Sequence, residues 1–120
     1  MSSSLHTSTI AELRRKLAKK EISPVELAHL MIARIAEVDP KIKGYNYLNP
    51  EQTKLQAEKI DINLPLGGIT IAIKDVLNVK DEPCTCSSKI LRGYVAPYDA
   101  TAIAKLRAAG AVFLRRTNMD

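Results

Sequence analysis

The sequence has no long hydrophobic run and no secretory leader. None of its apolar stretches approaches the roughly 20 residues that a membrane-spanning helix needs. The N-terminus also lacks the basic-then-apolar order of a secretory signal. We therefore expect a cytoplasmic protein that does not enter a membrane.

Cysteine is scarce, with two residues in the whole chain. Cys84 and Cys86 are separated by one residue, which on an extended chain is too close for an easy disulfide. No second Cys or His pair stands at a spacing typical of zinc sites. We interpret both cysteines as small structural thiols and expect the chain to bind no metal and no cofactor.

Aromatic residues are few as well: four Tyr, one Phe and no Trp. The net charge is +5, from 18 Lys and Arg against 13 Asp and Glu. Part of the excess lies in the short clusters Arg14-Arg15-Lys16, Lys19-Lys20 and Arg115-Arg116. A basic surface can help to hold RNA, but the aromatic interleaving that stacks bases is missing. The clusters therefore favour solvated helix faces over a specific RNA-binding surface.

The length of 120 residues allows one modest core, and so a single domain. Residues 9–60 predict a helical first half, and the residues before them predict a loose start. Thr9 and Glu12 have the form of a capping box. With Leu13 and Leu17 repeating at four, they predict a helix over residues 10–20.

A second helix is predicted to begin at Ser23-Pro24, where a Ser cap precedes a proline in the first turn. Asp39-Pro40 should stop it, because the residue before a proline is driven out of the helical region. A short extended piece over residues 44–48 then leads to Asn49-Pro50. That dipeptide predicts a third helix, which ends near residue 60.

The second half, residues 66–120, has the alternation of an α/β unit. The apolar stretch 69–74 predicts a buried strand. Asp99 has the form of a helix cap, Gly110 closes that helix, and residues 111–114 predict a second strand. This β-α-β order predicts a parallel pair with the helix covering one face of the sheet. The predicted fold class is therefore α/β, with N-terminal helices.

Lys74 ends the first strand of this unit. Strand alternation places it on one face with Thr70 and Ala72, whose small side chains leave space beside its stem. It stands at the carboxyl end, where open α/β sheets place their ligand sites. A lysine that acts as a base must lose its proton, which requires burial or nearby positive charge. From the residues alone, however, Lys74 is ordinarily a lysine that reaches solvent, and Asp75 a turn or capping residue.

A resemblance to a known family is carried by the stretches "PLGGITIAIKDV" and "CTCSSKILRGYVAPYDATAIAKLRAAGAVFLRRTNMD". They resemble the amidase signature family, and within it the A subunits of glutamyl-tRNA(Gln)/aspartyl-tRNA(Asn) amidotransferases. The strand with its lysine, the Ser-Lys-Ile-Leu segment, the Pro-Tyr-Asp-Ala-Thr helix start and the Thr-Asn-Met-Asp end agree in order and spacing. The fold that this implies is the N-terminal portion of an amidase domain, with the first β-α-β elements of its mixed sheet.

By this resemblance, Lys74 corresponds to the base of the family's Ser–cis-Ser–Lys triad. There a neutral lysine acts through a bridging serine to activate a nucleophilic serine. The complete subunit releases ammonia from glutamine, and a partner subunit uses that ammonia, with ATP and Mg²⁺, to amidate Glu-tRNA(Gln) or Asp-tRNA(Asn). The implied partners are the amidotransferase B and C subunits, with aminoacyl-tRNA bound through the complex.

The sequence also departs from the family pattern in three respects. Both triad serines of the family lie in a Gly/Ser-rich region, and none of the serines here has such surroundings: Ser2, Ser3, Ser4, Ser8, Ser23, Ser87 and Ser88. We therefore expect a fragment that is inactive by itself. Thr70 stands where the family usually has proline, and Arg115 where it usually has glycine. Since such a glycine often marks a close backbone approach, we expect the arginine to crowd the site.

Two other interpretations remain open. The chain is compatible with a catalytically dead remnant that keeps only partner or RNA contacts through its basic helices. It is also compatible with a fragment of a general amidase that has no tRNA partner.

Overall fold

The computed structural model describes residues 2–118, and its helices precede most of its sheet. After a 3₁₀ helix, Ser2–Thr7, the elements are α1 (Ile10–Ala18), α2 (Pro24–Ile42), β1 (Tyr45–Tyr47), α3 (Pro50–Glu58), β2 (Thr70–Lys74), α4 (Thr101–Ala108) and β3 (Val112–Thr117). The expected α/β class is confirmed. Met119 and Asp120, the end of the Thr-Asn-Met-Asp motif, lie outside the described residues, as does Met1.

The sheet has the strand order β1-β3-β2, so β3 lies in the centre. β2 and β3 are parallel, as the β-α-β order predicts, whereas β1 runs antiparallel to β3 and makes the sheet mixed. α4 covers one face, because its Ile103 packs with Ile73 of β2 and Phe113 of β3. This arrangement brings the carboxyl ends of β2 and β3 to the same edge of the sheet.

The two N-terminal helices begin where the sequence predicts. Complete capping boxes open both: Thr9 with Glu12 for α1, and Ser23 with Glu26 for α2. In each, the hydroxyl accepts from the backbone N–H three residues later, and the glutamate accepts from the cap's own N–H. The apolar faces of the two helices meet in a buried cluster with the start of the sheet, formed by Leu5, Leu13, Leu17, Leu27 and Ile69.

Two expectations about the first half are wrong. Residues 2–9 are not loose as expected, because Leu5 is buried against α1 and α2 and holds the 3₁₀ helix in place. α2 does not stop at Asp39-Pro40 but continues to Ile42. A proline so close to a helix end removes a single backbone donor. The stop comes instead at Lys43, in the left-handed region, where the Asp39 carboxylate accepts from the Gly44 N–H at 2.7 Å.

The second half has two further differences. Asp99 does not cap α4, whose N-cap residue is Ala100 and has no side-chain hydrogen bond. The Asp99 carboxylate instead accepts from the Lys80 N–H and from two nitrogens of the Arg107 guanidinium, a stronger charged arrangement. β3 extends to Thr117, beyond the predicted residues 111–114, because two arginines continue the strand in buried positions.

Candidate functional site at the end of the parallel strands

Lys74 is the last residue of β2 and pairs with Thr117 of β3. The strand packs as alternation predicts at its carboxyl end, since Ile73 is buried while Ala72 is exposed and Lys74 is half-buried. The stem of the lysine is therefore partly covered without being sealed in the core. This position is consistent with a ligand-facing group at the carboxyl edge of the sheet.

Asp75 is the residue that sequence reasoning missed. It lies in the turn that follows β2, as expected, but it is 1% exposed and so belongs to the interior of the fold. Its Oδ1 accepts from the Thr85 N–H at 3.0 Å, its Oδ2 accepts from Asn46 Nδ2 at 2.9 Å, and Thr85 Oγ1 also donates to Oδ2. The carboxylate thus joins the end of β2 to β1 and to the loop that follows.

Arg116 is the charged partner of Asp75. The guanidinium is completely buried, its Nη2 lies 3.5 Å from Asp75 Oδ1, and it also donates to the Leu77 carbonyl. Burial opposes ionisation of Asp75, but the hydrogen bonds from Thr85 and Asn46 and the charge of Arg116 outweigh it, so the pKa of this carboxyl is lowered. One sequence signal was available: an arginine inside an apolar strand requires a carboxylate nearby.

The loop of residues 84–88 closes over this end of the sheet. Cys86 donates its backbone N–H to the Asp75 carbonyl at 2.8 Å, and Cys86 and Ser87 both have positive φ, at 51° and 58°. Ser87 Oγ donates to Asn118 Oδ1 at 2.7 Å and accepts from Asn46 Nδ2 at 3.0 Å. A chain of polar contacts therefore runs from β1 through the loop to the residue after β3.

A cavity of about 440 Å³ opens beside this network. Its lining residues are all polar or charged, and they are Asn46, Thr85, Ser87, Ser88, Lys89, Arg92 and Asn118. Both loop serines have hydrogen-bond partners: Ser87 binds Asn46 and Asn118, and Ser88 Oγ accepts from the Ile90 N–H at 3.2 Å. Ser23 is occupied as the cap of α2. The cysteines are free thiols, and burial raises the pKa of Cys84.

Arg115 lies apart from this cavity. Its Nη1 is 2.7 Å from Glu82 Oε2, and the pair lines a different cavity of about 400 Å³ together with Tyr47, Lys80 and Arg107. Arg115 and Arg116 are both buried. The expectation that this dipeptide belongs to a solvated helix face is therefore wrong, because it lies in β3 and each guanidinium is paired with a carboxylate inside the fold.

The comparison with known families gives a match to the Amidase family over residues 26–120. A Methylacidiphilum infernorum protein, described as the A subunit of a glutamyl-tRNA(Gln) amidotransferase, is 57% identical over 112 residues, which is 93% of this chain and 23% of that protein. A protein of Geobacter metallireducens with the same description is 45% identical over 118 residues, 93% of this chain and 24% of that protein. The chain spans about a quarter of the length of these curated relatives.

Solved structures agree with the sequence relatives. The structure of the peptide amidase PAM in complex with chymostatin has a TM-score of 0.85 and 30% identity, covering 93% of this chain and 25% of that one. An amidase family protein from Bacillus anthracis has a TM-score of 0.87 and 25% identity, covering 98% of this chain and 25% of that one. The arrangement of helices and mixed sheet found here is thus that of amidase structures.

The described residues, 2–118, contain neither a helix that could span a membrane nor a group of side chains that could hold a metal ion. Within this part of the chain, no helix combines the length and the apolar character needed to cross a bilayer. Nor do three or more His, Cys, Asp or Glu side chains in the described ranges come together in a group that would hold a metal ion.

Proposed function

The chain belongs to the amidase family, and on that premise we propose that it forms part of the glutamine-hydrolysing A subunit of an aminoacyl-tRNA amidotransferase. In this proposal residues 1–120 are the N-terminal portion of an amidase domain, with a helical part over 9–60 and a β-α-β part over 66–120. The complete enzyme is a carbon–nitrogen ligase that takes its amide nitrogen from glutamine. It converts Glu-tRNA(Gln) to Gln-tRNA(Gln), or Asp-tRNA(Asn) to Asn-tRNA(Asn), for translation in the cytoplasm.

The observation that carries the proposal is the position of Lys74 in a chain 57% identical to a protein described as such a subunit. Lys74 stands half-buried at the carboxyl end of β2, and the residue that follows it, Asp75, binds Asn46 and Thr85, which line a polar cavity. We propose that its amine is the base of a Ser–cis-Ser–Lys triad. It would accept the proton of a bridging serine, which in turn takes the proton of the serine that attacks the glutamine amide.

The remaining groups of the reaction are proposed to lie outside residues 1–120. The described serine hydroxyls Ser23, Ser87 and Ser88 have structural contacts, and we assign none of them as a nucleophile. The two triad serines and the oxyanion-hole donors would come from the rest of the amidase domain. The B and C subunits would complete the enzyme, and ATP and Mg²⁺ would act on one of these partners, where the aminoacyl-tRNA is amidated.

A chimaera tests the role of Lys74. Residues 1–120 are joined to the remainder of the Methylacidiphilum infernorum protein and assembled with its partner subunits, and ammonia release from glutamine is measured. We expect Lys74→Ala to lower kcat by about a thousandfold or more, because members of a catalytic triad act as a unit. Lys74→Arg should be equally inactive, since arginine keeps the charge and stem but does not deprotonate.

Lys105→Ala is the matched control, because this lysine is exposed on α4, away from the carboxyl end of β2. Its activity should equal that of the unmodified chimaera. Ammonia release that survives Lys74→Ala in a correctly assembled complex would contradict the catalytic assignment. The lysine would then be an ordinary solvent-reaching residue at a strand end.

A further inference from the structure

We propose that Asp75 is a positioning residue for Lys74: its buried carboxylate fixes the end of β2 from which the lysine extends. The inference rests on the proposed role of Lys74 as a base. Asp75 is not itself a reacting group in that proposal, because it is closed to solvent and its carboxylate is hydrogen-bonded by protein groups.

The contacts of Asp75 reach each segment that surrounds the end of β2. The side chain binds Asn46 of β1, both the backbone and the hydroxyl of Thr85 in the following loop, and Arg116 of β3. The backbone adds two more links, because Asp75 N–H donates to the Thr117 carbonyl at 3.0 Å and its own carbonyl accepts from Cys86 N–H at 2.8 Å. Hydrogen bonds thus hold both the backbone and the side chain of Asp75, the residue that follows Lys74.

The burial of Asp75 makes these contacts necessary. An ionised carboxylate at 1% exposure is stable only if charged and polar partners replace the water that it loses. Thr85 and Asn46 therefore have to stay in place as long as the carboxylate is ionised. The loop of residues 84–88, with two consecutive residues at positive φ, is consequently held in one conformation against Asp75, the residue after the lysine.

This arrangement fixes the backbone position from which the Lys74 side chain extends. On its N-terminal side Ile73 is anchored in the apolar core with Phe113, and on its C-terminal side Asp75 is anchored in the polar network. The lysine itself pairs with Thr117 of the central strand. A proton transfer requires donor and acceptor within hydrogen-bond reach, and a displacement of about 1 Å can lower a rate about a hundredfold. Fixing both neighbours of the lysine prevents such a displacement.

The carboxylate also has to be kept from acting on the lysine as a counter-ion. A carboxylate next to a base stabilises the protonated form and opposes its function. Here the buried charge of Arg116 and the donors of Thr85 and Asn46 are directed at the Asp75 oxygens. The network therefore anchors the backbone, and the Arg116 guanidinium, 3.5 Å from the Asp75 carboxylate, is its charged partner.

The test uses the assembled chimaera described above, with Asp75→Asn, Thr85→Val and the control Asp81→Asn. The first removes the charge at nearly constant shape, and the second removes only the hydroxyl donor. Asp81 is exposed and undergoes the same chemical change as Asp75. The kcat and the KM for glutamine are measured for each variant, with the thermal unfolding midpoint as a check on folding.

We expect Asp75→Asn to lower kcat about a hundredfold, and Thr85→Val about tenfold, while KM changes by less than about threefold. Asp81→Asn should change neither constant. If Asp75→Asn fails to assemble, the milder Thr85→Val variant decides the question by the same split between kcat and KM.

Other outcomes overturn the proposal. Unchanged kcat in a folded Asp75→Asn variant would show that the network does not position the lysine. If Lys74→Ala is inactive in that same experiment, the proposed function still holds and only this inference fails. A loss of kcat that disappears once the folded fraction of the variant is taken into account, or a rise of KM, would assign Asp75 to stability or binding instead. Activity that persists in Lys74→Ala would reject the proposed function and this inference together.

Discussion

Arg115 and Glu82 form an ion pair that is nearly closed to solvent, with Nη1 2.7 Å from Oε2. Arg115 has φ of 103°, in the region that favours glycine. It follows a bulge in β3: Ile71 pairs with Phe113 and Ala72 with Arg115, so Leu114 is the extra residue. An arginine in this conformation costs about 1–3 kcal/mol, and the contact with Glu82 offsets that cost.

We predict that Arg115→Gly destabilises the chain although it relieves the backbone. The substitution leaves the Glu82 carboxylate buried without its cation, and breaking such a pair costs about 3–5 kcal/mol, which exceeds the released strain by about 2 kcal/mol. Urea unfolding of the 120-residue chain at neutral pH measures the difference. A second substitution, Glu82→Gln, should restore most of the loss.

The pH dependence of Arg115→Gly gives a further check on this prediction. Burial raises the pKa of Glu82, and the charge of Arg115 opposes that effect. Without Arg115 the pKa of Glu82 should rise further, so the stability of the variant should fall as pH increases through that raised value. A variant more stable than the original chain at neutral pH would show that backbone strain, not the ion pair, dominates at this position.

The ionisation of Asp75 predicts an acid-sensitive end of the sheet. Its folded pKa is lowered from the ordinary value of 3.8. A carboxyl with a lowered folded pKa stabilises the fold fully above its unfolded value, and this contribution disappears as pH falls through the folded pKa. The free energy of unfolding should therefore decrease below about pH 4, and Asp75→Asn should flatten this part of the curve. An identical acid slope in Asp75→Asn and in the exposed control Asp81→Asn would contradict the assignment.

At the start of β3, the Gln56 side chain makes the hydrogen bonds that a neighbouring strand would otherwise make. Its Oε1 accepts from the Phe113 N–H at 2.9 Å, and its Nε2 donates to the Ala111 carbonyl at 3.2 Å. Thr53 Oγ1 donates to the Phe113 carbonyl at 2.9 Å from the preceding turn of α3. Two side chains of one helix thus satisfy the backbone of β3 where β1 does not reach.

We predict that Gln56→Leu is strongly destabilising. It leaves a buried N–H and a buried carbonyl without partners, at about 1–3 kcal/mol for each group. The expected loss is therefore about 2–6 kcal/mol, measured by urea unfolding followed by circular dichroism. Gln52→Leu makes the same chemical change on an exposed position of α3 and should have little effect. Equal stability of the two variants would show that water replaces the amide at the strand edge.

The local elements could be predicted because their signals lie within a few residues of each other. The capping boxes at Thr9 and Ser23 specify their helices through bonds over three residues. The apolar stretch before Lys74 likewise identifies β2. Several of the errors came from contacts between segments that are apart in the sequence. Asp99 looks like a cap, but Arg107 and the Lys80 amide bind it instead, and neither is visible in its immediate sequence.

The candidate site was predictable in part for the same reason. The family resemblance identifies Lys74, whose catalytic role remains a prediction, and strand alternation explains its face. Nothing local to Asp75 indicates that it is the centre of a buried network, because Asn46, Thr85 and Arg116 come from three different parts of the chain. The positive φ of Arg115 gives a physical reason for the glycine expected there from the family.

The last prediction concerns association of the 120-residue chain. β1 and β2 are both edge strands of the described sheet, and edge strands present unpaired backbone groups to other chains. The segment 90–98 adds exposed apolar side chains, with Ile90 92% and Val95 53% exposed. Such surfaces associate unless another structure covers them. Sedimentation velocity should therefore show an apparent mass that increases with concentration.

Matched variants separate the two causes of that association. Ile90→Lys with Val95→Lys should reduce it substantially, because charge on the segment opposes apolar contact between copies. Ile42→Lys is the control, since Ile42 is also well exposed but lies at the end of α2. If association persists in the double variant at full strength, pairing of the edge strands is its cause. A chain that stays monomeric at every concentration, with a sharp and reversible thermal transition at high temperature, would refute the prediction and show that these residues form a self-sufficient domain.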